Sequence, residues 1–98
     1  MKIYISGPIT GVDNYAKNFL EAEIKLKKQG HEVLNPAKTG DTLPESTAYE
    51  QYMSICYLML DMCEAVVLLD GWEKSKGACI EYGYSFAKEK MIISINDF

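Results

Sequence analysis

The sequence predicts an α/β fold: a Rossmann-like (flavodoxin-like) three-layer sandwich around a four-stranded, mainly parallel sheet, in one domain spanning residues 1–98. Two observations carry this. Short β-branched runs alternate with helix-period segments along the chain, the pattern of successive βα units joined by right-handed crossovers. The apolar run Ala65 to Leu69 also breaks at Asp70-Gly71 before a helix opening near Ser75. Polar residues therefore stand just past the carboxyl end of a strand, where open α/β sheets hold their ligands. A chain of 98 residues buries one modest core and no more.

In order, Lys2 to Ser6 is β-branched and aromatic and forms the first strand, stopped by Gly7-Pro8-Ile9-Thr10-Gly11. Asp13 to Gln29 carries Tyr15, Phe19, Ala22 and Leu26 at helical spacing and is closed by Gly30, with lysines near its end. His31 to Leu34 is a short strand ended by Asn35-Pro36, and residues 37–45, with Gly40 and Pro44, read as a surface loop. From Ser46 to Cys63, Tyr49, Tyr52, Met53, Cys56, Met59, Leu60 and Cys63 recur on one helical stripe. The opposite stripe, Glu50, Ser54, Tyr57 and Asp61, reads as a solvated face. Glu64 to Leu69 is the third strand and Ser75 to Glu89 the third helix, with Ile80, Gly83 and Ala87 on one side and Glu81, Ser85 and Lys88 on another. Met91 to Ile95 is the fourth strand.

Composition narrows the function classes. The net charge is -4, all ten basic residues are Lys, and no basic block suits a nucleic-acid polymer. Without Arg, a phosphate must be held by N–H groups, hydroxyls or Lys. No apolar run approaches the roughly 20 residues of a membrane helix. The start on a strand, without a signal peptide, suggests a cytoplasmic protein. Cys56, Cys63 and Cys79 lack metal-ligand spacing and read as core thiols; neither a metal nor a cofactor is expected.

Three stretches carry candidate chemistry. Gly7 to Gly11 matches neither a dinucleotide fingerprint nor a P-loop, but its glycines let a ligand approach the backbone. Ser75-Lys76-Gly77 offers a hydroxyl and helix-terminal N–H groups to an anion, or simply caps the helix. Glu81 lies one turn beyond Gly77 on the same helical face, among apolar and aromatic neighbours. A carboxylate there is able to act as nucleophile or base. Trp72 and Tyr4 are candidates to line the same crevice, and His31 lies far from it.

Met1 to Gly11 together with Gly71-Trp-Glu-Lys-Ser-Lys-Gly-Ala-Cys-Ile-Glu-Tyr-Gly-Tyr84 resembles the family of nucleoside 2-deoxyribosyltransferases and 2′-deoxynucleoside 5′-monophosphate N-glycosidases. The resemblance covers nearly the whole chain. It implies that Glu81 attacks the anomeric carbon, that Tyr4 hydrogen-bonds this carboxylate, and that Ser75, where the nucleoside transferases carry an Asp, contacts a 5′-phosphate. The chain departs from the family at Cys56, which replaces the Asp that assists the leaving base; Asp70 is the nearest substitute. Larger members of the family carry a longer carboxyl-terminal segment, which is not expected in this chain.

The expectation is therefore N-glycosidic cleavage or transfer on a (deoxy)nucleoside 5′-monophosphate. Glu81, Tyr4 and Asp70 would be catalytic, with Gly7, Pro8, Ile9, Gly11, Trp72, Ser75 and Gly77 binding substrate. A non-catalytic nucleotide-binding or sensing module of the same fold is the alternative. The expected partners are a small nucleoside or nucleotide and further copies of the chain, associating through the Tyr and Met surface of the second long helix.

Overall fold

The computed structural model describes residues 1–98. Strand β1 (Lys2–Ser6) leads through α1 (Tyr15–Lys28) to β2 (Glu32–Leu34); α2 (Pro36–Asp41) and α3 (Tyr49–Asp61) then return the chain to β3 (Ala65–Leu68). A 3₁₀ turn (Trp72–Lys74), α4 (Lys76–Ala87), β4 (Met91–Ser94) and a final 3₁₀ turn (Ile95–Asp97) follow.

All strand pairs are parallel, in the order β2-β1-β3-β4. From β1 the chain first moves one way and then returns past it and onward, so α1 lies on one face of the sheet and α3 and α4 on the other. One face packs Ile3, Ile5, Ala65 and Val67 against Phe19, Ala22 and Leu26 of α1. The other packs Tyr4, Val66 and Leu68 against Cys56 and Leu60 of α3, with Tyr82 and Tyr84 of α4 at its margin. These are the three expected layers, and the direction reverses between β1 and β3, where a crevice opens at the strand ends.

The structure corrects four local readings. Residues 37–45 are not all loop, because α2 occupies Pro36–Asp41. Asn35 accepts a hydrogen bond from the Ala37 N–H at 3.0 Å, and Pro36 fills the first helical position, so the pair read as a strand stop is also a helix start. In α4 the buried face is Ala78, Glu81 and Ser85, while Ile80 is exposed. Cys79 is exposed too, although Cys56 and Cys63 are core thiols. Gly7 answers a packing demand as well: a Cβ there would lie 2.8 Å from Leu69 Cβ. No helix is long and apolar enough to cross a membrane.

Candidate functional site

Side chains alternate along a strand, so Tyr4 and Ser6 project from β1 onto the same face. There they meet Glu81 in the second turn of α4. The Tyr4 hydroxyl donates to Oε2 at 2.5 Å and the Ser6 hydroxyl donates to Oε1 at 2.7 Å. All three residues are buried. Burial raises the Glu81 carboxyl above its ordinary value, and the hydrogen bonds of Tyr4 and Ser6 only partly offset it. Burial and then the adjacent carboxylate push the Tyr4 phenol well above its usual range, so it remains a donor.

A cavity of about 220 Å³ borders this carboxylate. Gly7, Ile9 and Thr10 wall it from the loop after β1, Phe19 from α1 and Pro36 from α2. Tyr49, Tyr52 and Met53 close it from α3, and Ser75, Gly77 and Ala78 from the start of α4. Thr10, Tyr49, Ser75 and Gly77 also line a wider outer recess of about 760 Å³, which Lys74 and Lys76 flank.

Ser75 is the N-cap of α4, its hydroxyl accepting from the Ala78 N–H at 3.2 Å. The N–H groups of Lys76 and Gly77 in the first turn make no bond to the rest of the chain. A buried carboxylate thus stands at the inner end of the cavity, with a helix N-terminus and two lysines at the outer end.

Not every expected residue reaches this cavity. Glu81, Tyr4, Gly7, Ile9, Ser75 and Gly77 do. Pro8 lies in the outer recess. Gly11 borders neither space; its φ of 77° makes it a left-handed turn position. Trp72 lies outside both, its ring stacked on Tyr82 with centroids 4.9 Å apart.

Asp70 requires the clearest correction. It borders a recess on the α1 side of the sheet, beside Asn18 and Glu21, and accepts from Asn96 Nδ2 at 2.7 Å. The chain turns outward after Leu69, which packs toward α1, so Asp70 is not brought to Glu81. Cys56 is buried beside Tyr4, Tyr52 and Glu81 without lining the cavity, and burial pushes its thiol up to about 11. His31 contacts the terminal amino group of Met1 and the Phe98 ring, away from the site.

Sequence reasoning passed over Ser6, although its two-residue spacing from Tyr4 marks it as facing the same way. It also read Tyr49, Tyr52 and Met53 only as a helical stripe, because a pattern does not distinguish residues that fill a core from those that wall a cavity.

Residues 1–94 match the family described as "Domain of unknown function (DUF4406)". The chain belongs to the DUF4406 family. Among solved structures, this DUF4406 domain is similar to a 2-deoxyribosyltransferase from the psychrotolerant bacterium Bacillus psychrosaccharolyticus, with a TM-score of 0.74 and 21% identity. The match covers 96% of this chain and 71% of that one, and establishes a shared fold. None of the curated proteins matches the chain.

Proposed function

We propose that this DUF4406 domain binds a (deoxy)nucleoside 5′-monophosphate and cleaves its N-glycosidic bond with Glu81 as nucleophile. The observation that carries the reading is the polarity of the cavity, with a buried, doubly hydrogen-bonded carboxylate inside and a helix N-terminus with Lys74 and Lys76 outside. Gly77 and Glu81 are four residues apart, a rise of about 6 Å along the helix, which suits a sugar held between its phosphate and its anomeric carbon.

In this scheme the Glu81 carboxylate attacks the anomeric carbon as the base departs. Water then resolves the glycosyl ester in hydrolysis, or a second base resolves it in transfer. Tyr4 and Ser6 hold one carboxylate oxygen each, which fixes the direction of attack. Burial makes the carboxylate more basic than in water and thereby a stronger nucleophile. The shared fold with a 2-deoxyribosyltransferase supports the same reading. Asp70 has no part in it. Cytoplasmic self-association belongs to the same proposal.

The test is release of free base from a panel of nucleotides, followed by chromatography. Glu81→Ala is expected to lower release by at least about 10³-fold, the scale on which loss of a nucleophile acts. Equal release by both proteins would sink the proposal. The cavity's single carboxylate also favours a second reading, a nucleotide-binding module. That reading is selected if nucleotides raise the melting temperature without any turnover.

A further inference from the structure

The cavity holds one carboxylic acid, Glu81, and no His, Lys or Cys side chain lines it. Its hydroxyl groups are mostly committed. Tyr4 donates to Glu81, Tyr52 donates to the Pro36 carbonyl at 3.1 Å, and Ser75 caps α4. Thr10 and Tyr49 remain. An aliphatic hydroxyl is a very weak acid, and burial followed by the nearby Glu81 charge raises the Tyr49 phenol above its ordinary value. Cys56 is buried behind the wall.

A neutral purine or pyrimidine must gain a proton, or leave as an anion, when its glycosidic bond breaks. General-acid assistance of that kind is worth about 10²–10⁴-fold. No group in this cavity is suited to supply it.

We propose that the preferred substrates are nucleoside 5′-monophosphates whose base is already cationic, such as a pyridinium or an N7-alkylated purine. The inference rests on the Glu81 reading and adds the chemical class of the leaving group. In the first step the Glu81 carboxylate forms a bond to the anomeric carbon. The electron pair of the breaking C–N bond passes to the ring nitrogen, and the base leaves neutral without a proton. In the second step water cleaves the glycosyl ester, giving the sugar 5-phosphate, the free carboxylate and one proton released to solvent. The rings of Phe19, Tyr49 and Tyr52 in the cavity wall, with the Glu81 charge, suit a flat cation.

The experiment compares guanosine 5′-monophosphate with its N7-methyl cation, and uses nicotinamide mononucleotide as the pyridinium probe, following base release by the full chain. The expected kcat/KM for the cationic substrates exceeds that for the neutral one by at least about 100-fold. Glu81→Gln, confirmed as folded by its melting transition, is expected to abolish release from all three. A ratio below about tenfold overturns the cationic preference while leaving Glu81 as nucleophile, because an acid supplied by the protein narrows the gap. Release from none of the three or of their 2′-deoxy counterparts, or release that survives Glu81→Gln, overturns both proposals.

Discussion

Glu81 is a carboxylate that the fold buries against its own electrostatic preference, and the two hydroxyls from β1 are what make the position tolerable. Removing one of them withdraws a donor from the charged form, so the carboxyl moves further upward. If activity requires the ionised form, Ser6→Ala and Tyr4→Phe are each expected to shift the acidic limb of the pH–rate profile to higher pH. A limb that stays in place would show that Glu81 is not the group being titrated. Stability carries the same sign. The carboxyl is raised in the fold, so its favourable contribution is present below the unfolded value and is lost as pH rises through the folded value. Glu81→Gln is therefore expected to melt above the parent protein, with a difference that grows as pH rises from the ordinary value of 4.5 through the raised folded value. Thermal melts across that range check this, and a constant difference would contradict it.

At the scale of the element, α2 shows how a local signal is misread. Asn35-Pro36 terminates β2 and starts a helix at once, and the short segment has too few turns to display a periodicity. What holds it is long-range and invisible in sequence: Glu23 of α1, buried, accepts from Asn35 Nδ2 at 3.0 Å, Lys38 Nζ at 3.0 Å and Lys27 Nζ at 2.7 Å. Burial alone would raise this carboxyl, but Lys27, Asn35 and Lys38 together outweigh it and bring it down to about 2. The stabilisation is complete above the ordinary value of 4.5 and lost as pH falls toward 2. Glu23→Gln is expected to cost about 1–2 kcal/mol at neutral pH, discounted for the exposed lysine heads, and almost nothing near the acid end. Urea titrations at several pH values measure both, and a cost independent of pH would contradict the clamp. The helices α1 and α3 were legible because their apolar spacing is long, and α4 because Ser75 marks its start. The polar spacing of α4 did not by itself show that Glu81 and Ser85 are buried, since the strand that meets Glu81 lies some 75 residues away in sequence; only the family resemblance paired Glu81 with Tyr4, and it did not mark Ser6. Gly7 sits at the same kind of long-range junction. Gly7→Ala would press its methyl group on Leu69 and is expected to cost about 1–3 kcal/mol, read from the shift of the denaturation midpoint.

For the molecule as a whole, alternation of strands and helices implied a parallel sheet, and the order β2-β1-β3-β4 places the crevice between β1 and β3. That places Glu81 and the start of α4 on one side of the sheet and Asp70 on the other, a distinction that requires knowing where β3 ends and its loop turns. The same layering leaves α3 and α4 as the outer layer on the site's own side. Leu58 of α3 and Met62, the residue that caps its carboxyl end, are 67% and 57% exposed, and Phe86 of α4 is 70% exposed. Solvating three large apolar side chains on one small domain is costly, at roughly 25 cal/mol per Å² of apolar surface that association would cover. Self-association through α3 follows as an expectation. The Leu58→Lys, Met62→Lys double variant is expected to sediment as a single chain where the parent sediments as an oligomer, with an unchanged melting cooperativity showing that each chain still folds. The same variant separates two roles for the surface. If base release persists in the single chain, the cavity is complete within one protomer; if release falls while the fold is kept, the neighbouring copy completes it. Identical sedimentation of parent and variant would remove α3 as the interface.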